Sequence, residues 1–330
     1  MKLGVLQFFS WPERRVDLAT VYARALQRIE IMDQTGYDAV WLAEHHFSSF
    51  SVCPSVHMVG TLAAARTKRL RIGTAVSLAP FYHPLRLAEE VALLDLLSGG
   101  RVNWGAGRGF ARVEFTAFGV PPEESVSRFH ETVEIVLKAW TEAKLTFSGE
   151  HFNFEDIEIL PKPAQRPHPP VWVAVSSESA IDWAAGRGFS VLMDPHSSGP
   201  EIAAKRRYYG DKLAAAGFSD AGRDIPIARL VAIAPTAVKA KDVARSGAEW
   251  IVNSYLGIQH RPVMQRNFWS AGVDPIQRYL DEVIVHGTPD KVGDEILRLR
   301  EEIGLDYLLC APLSHQSFML LTEKVLPRLP

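Results

Sequence analysis

Residues 71–109 read RIGTAVSLAPFYHPLRLAEEVALLDLLSGGRVNWGAGRG and hold one complete repeat of the fold. Arg71 to Ser77 is a short, largely aliphatic and β-branched run, as suits a strand buried on both faces. A helical pattern then runs from Pro84 to Leu97. Proline at the first helical position sacrifices no hydrogen bond, and Gly99-Gly100 supplies the stop. Val102 to Ala106 returns as a strand. Strand, crossover helix and strand in direct succession form the unit of a parallel sheet, because parallel neighbours need a long connection.

The same unit extends in both directions. Upstream lie a strand at Leu3 to Phe8, a helix at Asp17 to Thr35, a strand at Asp38 to Ala43 and a helix at Ser55 to Arg66. Leu18, Val21, Tyr22, Ala25, Ile29 and Met32 make the apolar stripe of the first helix. Downstream come a helix at Ser125 to Thr141, a strand at Val171 to Val175, a helix at Ser179 to Gly186, a strand at Phe189 to Met193 and a helix at Pro200 to Ala216. Ile225 to Ala234 and Ala237 to Ile251 give the seventh strand and its helix, and Asp306 to Cys310 the eighth strand. A helix capped by Thr288 and started by Pro289 precedes that last strand, and Ser314 to Val325 closes the chain. Eight such units predict an α/β protein of the (β/α)8 TIM-barrel class, with residues 1–330 as one domain.

Two stretches break the rhythm. Thr146 to Pro170, with five prolines from Pro161 onward, reads as a stiff, extended connector. About Asn253 to Glu282 reads as an irregular, lid-like insertion before the last crossover helix, because Phe268, Trp269 and Tyr279 are unusual in a purely solvated segment.

Charge and composition narrow the function. The 36 basic and 38 acidic residues nearly cancel, so there is no basic footprint for nucleic acid or an anionic membrane. No run of eighteen apolar residues occurs, and the apolar start at Leu3 to Phe9 is too short for a signal peptide. The two cysteines, Cys53 and Cys310, stand in no metal or redox spacing, which fits a reducing cytoplasm. A small-molecule ligand is expected.

In a parallel barrel, chemistry sits at the carboxyl ends of the strands. Those positions hold Phe8, Glu44, His45, His46, Ser77, Arg108, Ser176, Ser177, Ser179, Met193 and Asp194. Adjacent residues on extended backbone point apart, and no second ligand pair accompanies His45-His46, so a metal is not expected. His45 reads as functional and His46 as structural. Gly105, Gly107 and Gly109 lack the dinucleotide spacing; they read instead as close backbone approach to a flat ligand, with Arg108 reaching for an anion. Three serines at a helix entrance exceed what one cap needs and suggest a phosphate cradle next to Arg108.

At this point the sequence resembles the bacterial luciferase-like, FMN-dependent monooxygenases over nearly its whole length. The resemblance rests on Gly36-Tyr37-Asp38, Glu44-His45-His46-Phe47, Ile72-Gly73-Thr74-Ala75-Val76, and His83 through Glu89. Leu94-Asp95 to Ser98, Gly100-Arg101, Gly105 to Gly109, Trp183-Ala184-Ala185 with Arg187-Gly188, and Gly287-Thr288-Pro289 continue it. It implies that Arg108, Gly109 and the Ser176, Ser177 and Ser179 turn hold the FMN phosphate. It also implies that Ala75-Val76 forms a bulge with a non-proline cis peptide under the isoalloxazine. By the same resemblance His45 lies near the reactive edge, Glu44 orients Arg108, and His46 with Glu89 lies at the subunit contact of a homodimer or heterodimer. Reduced FMN would come from a separate NAD(P)H:flavin reductase, react with O2 at C4a, and pass one oxygen atom to a small organic substrate. Phe8, Trp11, Met193, Phe268 and Trp269 would form the apolar walls and lid that keep this chemistry dry. Gly107 stands where light-emitting members carry a cysteine and Ser176 where they carry an acidic residue, so light emission is not expected. Relatives on the same barrel imply a rival, hydride transfer with a deazaflavin; a second rival is a non-catalytic flavin-binding partner subunit.

Overall fold

The computed structural model describes residues 1–254 and 274–330. Eight parallel strands close into a barrel: β1 (Lys2–Gln7), β2 (Ala39–Leu42), β3 (Arg71–Thr74), β5 (Val102–Gly107), β8 (Val171–Val175), β9 (Ser190–Met193), β10 (Pro226–Ile233) and β12 (Tyr307–Pro312). Each pairs with the next, and β12 returns to β1 through Leu3 opposite Leu308 and Val5 opposite Cys310. Closure removes the exposed edges that an open sheet would leave. Helices α1 (Leu18–Gln34), α2 (Val56–Arg66), α3 (Pro84–Leu97), α4 (Arg112–Phe118), α5 (Ser125–Thr141), α6 (Glu178–Gly186), α7 (Gly199–Ala215) and α8 (Ala237–Ser254) surround it.

Alternation along the strands sorts the core into two layers. Leu6, Trp41, Trp172, Leu192, Leu230 and Leu309 fill the barrel, whereas Val5, Val40, Val173, Val191, Met193 and Val231 pack under the helices. Met193, expected as a wall of the site, therefore belongs to the helix layer, and Leu192 points inward. Trp41 meets Trp172 edge-on at 5.2 Å and donates from Nε1 to the Tyr307 hydroxyl at 3.1 Å. Room for that indole comes from Gly73, where a Cβ would lie 2.3 Å from the ring. Each such buried aromatic or branched side chain contributes roughly 1.5–3 kcal/mol.

Helix starts follow local chemistry: Asp17, Ser55 and Ser177 each accept a backbone N–H of the first turn. Thr288 occupies the cap position of Pro289–Ile303 without a side-chain hydrogen bond, so the fixed backbone of Pro289 starts that helix instead.

The stretch expected to be a stiff connector contains a hairpin, β6 (Leu145–Ser148) against β7 (Asn153–Ile157). Glu131 of α5 holds its turn, accepting the N–H groups of Glu150 at 2.6 Å, His151 at 3.1 Å and Phe152 at 3.2 Å. Only the proline run after it is extended, with cis bonds at Leu160–Pro161 and Arg166–Pro167. The expected irregular insertion is also corrected at its end. Pro275–Arg278 and Tyr279–Val283 are helical, and Tyr279, Leu280 and Val283 are buried against α8. A further strand, β11 (Val285–Gly287), pairs with the C-terminal half of β10. Phe268 and Trp269 lie outside the described residues.

Candidate active site

The first cluster follows β2. Glu44 is 2% exposed, and its oxygens accept from His46 Nε2 at 3.0 Å, the Tyr82 hydroxyl at 2.9 Å and the Leu78 amide at 3.4 Å. The expectation that Glu44 orients Arg108 is thus corrected. Tyr82 and Leu78 sit on the segment leaving β3, directly beside the end of β2, and reach the carboxylate first. His46 also donates its backbone N–H to Glu114 Oε1 at 3.0 Å. Glu114, on α4, is buried, and burial lifts its carboxyl to about 7 against the opposing effect of that N–H and of His46. Sequence reading missed Glu114 because no helix start signal precedes α4: Ala111 at its cap offers no side-chain acceptor.

His45 turns the other way. Its backbone N–H donates to the Cys53 carbonyl at 3.1 Å, and its ring lies 6.2 Å from Phe8 and 5.2 Å edge-on from Phe50. An imidazole held by two aromatic rings keeps a fixed orientation at the mouth.

Next comes a bulge between β3 and a two-residue strand, β4 (Ser77–Leu78). The Ala75–Val76 peptide is cis, as the resemblance implied. Thr74 Oγ1 donates to the Gly105 carbonyl at 2.7 Å and accepts the Gly105 N–H at 2.9 Å, locking the bulge to β5. The glycine triplet thereby gains a different reason from the one expected. A Cβ at Gly105 would stand 2.0 Å from the Thr74 carbonyl oxygen, and one at Gly107 2.2 Å from the Val76 side chain. Two of the three glycines make room for the bulge itself, not directly for a ligand. Gly109 has φ +75°, a left-handed conformation that glycine adopts without penalty.

The last cluster joins two adjacent strands. β5 and β8 pair up to Ala106 opposite Val173, so Arg108 and Ser176 follow the ends of neighbouring strands. Arg108 is exposed at the mouth, with Nη1 donating to Ser125 Oγ at 3.1 Å, and among the described residues it enters no ion pair. Ser177 caps α6 by accepting the Ala180 N–H at 3.4 Å, and its hydroxyl meets Ser179 Oγ at 3.1 Å. Ser176 is exposed beside them. A guanidinium without a counter-charge, next to hydroxyls at a helix entrance, is the donor set that a phosphate monoester fits.

Beside the two rings that flank His45 opens a cleft lined by Phe8, Phe50, His196, Leu230, Trp250 and Ala311, among others. Trp11 is tied off to one side, its Nε1 donating to the Val16 carbonyl at 2.6 Å and its ring stacked against Arg14. His196 is buried with Nδ1 2.8 Å from the Tyr279 hydroxyl, and burial pushes it down to about 4, so it is neutral. Among the described residues no helix is long and apolar enough to cross a membrane.

A closed parallel barrel with a bulged third strand, and with polar and aromatic side chains gathered at the carboxyl ends of its strands, is the architecture of the α/β-barrel class. The family model for luciferase-like monooxygenases matches residues 1–307, and the chain belongs to that family, whose members are enzymes. It is 33% identical over 301 residues to the uncharacterized protein y4wF of Sinorhizobium fredii, covering 89% of this chain and 85% of that one. It is 31% identical over 183 residues to the oxygenase component of a flavin-dependent trigonelline monooxygenase of Acinetobacter baylyi, covering 56% of this chain and 52% of that one. Among solved structures, monooxygenase RslO1 of Streptomyces bottropensis superposes with a TM-score of 0.85 at 28% identity, covering 99% of both chains. Two more distant structures share the fold. The oxygenating constituent of 3,6-diketocamphane monooxygenase of Pseudomonas putida, in complex with FMN, has a TM-score of 0.82 at 21% identity, covering 100% of this chain and 99% of that one. An F420-dependent secondary alcohol dehydrogenase has 0.78 at 18%, with the same coverage.

Proposed function

We propose that the protein is the oxygenase of a two-component system: it takes reduced FMN from a separate NAD(P)H:flavin reductase and uses O2 to oxygenate a small organic molecule. The observation that carries this reading is that Arg108, in no ion pair among the described residues, and the Ser176–Ser179 turn follow the ends of the paired strands β5 and β8, with the Ala75–Val76 bulge after the neighbouring β3. The trigonelline relative, named as an oxygenase component, supports the division of labour with a reductase.

Arg108, Gly109 and the hydroxyls of Ser176, Ser177 and Ser179 hold the phosphate, while Ala75 and Val76 support the ring system. Bound there in reduced form, FMN supplies the electrons that activate O2. His45, fixed between Phe8 and Phe50, donates a hydrogen bond to, or takes a proton from, a group at the mouth, a role that contributes typically 10²–10⁴ in rate. Glu44 acts through His46 and Tyr82, holding the loop that carries His45. Phe8, Phe50, Leu230 and Trp250 exclude water.

The chain acts as one domain and as a homodimer in a reducing cytoplasm. Met58 and Leu62 on α2, with Leu93 and Leu97 on α3, are exposed at helical spacing and form the apolar face of that contact. Side-by-side titration with reduced FMN and with reduced deazaflavin tests the cofactor. Tight FMN binding agrees with the proposal, and deazaflavin binding without FMN binding ends it, favouring the hydride-transfer rival that the F420-dependent neighbour embodies.

A further inference from the structure

The cleft beside His45 begins at Phe8 and Phe50 and runs outward between α1 and α8. Its volume is about 1020 Å³, and it reaches from Phe8 and Trp250 to Arg24 and Arg28 of α1 and to His315. Arg28 lies one helical turn after Arg24 on the same face. Its Nε donates to His315 Nδ1 at 3.4 Å, and its guanidinium lies 5.4 Å over the Phe318 ring. Burial and the neighbouring Arg24 push Arg28 down to about 10, so it stays charged at neutral pH, while burial and both arginines push His315 down and keep it neutral there.

Among the described residues neither Arg24 nor Arg28 enters an ion pair, and residues 255–273 contain no Asp or Glu that could supply one. Of the acidic groups on the cleft, Glu13 is paired with Arg15 at 2.5 Å, and Asp242 and Glu249 stand on α8, across the cleft. Two like charges one turn apart, with Arg28 partly dehydrated, repel each other, and an anion between them relieves that cost.

We propose that the cleft takes an amphiphilic organic acid, its apolar body against Phe8, Phe50 and Trp250 and its terminal carboxylate held by Arg24 and Arg28. This rests on the reading of the mouth as an oxygenating site and names the class of its substrate. Aromatic walls at the His45 side and two guanidiniums on α1 orient such a molecule with its acid end away from His45, and so set which part of its body lies nearest that imidazole.

Matched probes test it: 4-phenylbutyrate and its uncharged amide, nearly equal in shape, titrated calorimetrically into the full chain. The acid should bind at least about 10-fold more tightly than the amide. That preference should fall below about 3-fold in Arg24→Gln/Arg28→Met, where the methionine stem still covers Phe318, and should largely return in Arg28→Lys. Arg24→Gln alone, at an exposed position, keeps the fold and should lose part of the preference. Equal binding of the two probes, no binding of either, or a preference that survives the double substitution overturns the proposal. Reduced FMN affinity, measured alongside, keeps the two claims apart: loss of FMN binding in the native chain strikes the flavin reading, whereas loss of acid preference with FMN binding intact strikes this one.

Discussion

Replacing Arg108 by alanine removes the one charged side chain assigned to the flavin phosphate. Ser125 Oγ already orients the guanidinium at 3.1 Å, and among the described residues no carboxylate competes for it, so its charge is available to a ligand. A charge-assisted hydrogen bond contributes about 1.5–3 kcal/mol, and exposure at the mouth puts Arg108 toward the lower part of that range. The dissociation constant for reduced FMN should therefore rise roughly 10- to 30-fold. Anaerobic fluorescence titration measures it, with riboflavin, which lacks the phosphate, as the internal control. Riboflavin affinity should hardly change, and the FMN effect should shrink as salt screens the contact. An unchanged FMN affinity, or an equal loss for riboflavin, would refute the phosphate assignment.

Other consequences are equally specific. Gly105→Ala forces a Cβ to within 2.0 Å of the Thr74 carbonyl and should destabilise the chain by about 3 kcal/mol or more; an unshifted thermal midpoint would contradict the tight bulge. Glu114, lifted from 4.5 to about 7, makes a contribution that is complete below pH 4.5 and lost as pH rises through 7, a difference of about 3 kcal/mol. Glu114→Gln keeps an acceptor for the His46 N–H, so it should raise the unfolding midpoint at pH 8 and leave it nearly unchanged at pH 4.5; equal effects at both would sink that reading. Burial pushes the Cys53 thiol up to about 12, so iodoacetamide at pH 8 should label it only after unfolding, and rapid labelling of the native chain would be the wrong result. Met58→Glu/Leu97→Glu places charges on the apolar face of α2 and α3 and should yield monomers in sedimentation; an undisturbed dimer would place the contact elsewhere.

The eight barrel strands were legible because strands buried on both faces read as aliphatic runs, and Pro84, Gly99 and Ser177 punctuate the helices between them. Elements without such signals were not: β11 has three residues, α4 lacks a capping side chain, and the prolines after Ile159 masked the hairpin before them. At the site, the residue types and strand ends could be read, and Arg108 and the serines follow the ends of the paired strands β5 and β8. Side-chain partners could not. Glu44 is bound to Tyr82, thirty-eight positions away, because the bulged segment folds back over the end of β2, and no sequence period carries that contact. The glycines showed that something had to come close, but only the structure identifies it as the neighbouring strand.

A crystal structure of the chain soaked with FMN bears most directly on the central claim. The phosphate should lie within about 3 Å of the Arg108 guanidinium and of at least one hydroxyl among Ser176, Ser177 and Ser179, with the ring system over the Ala75–Val76 peptide. A phosphate bound anywhere else, with Arg108 still turned to Ser125 alone, would contradict it.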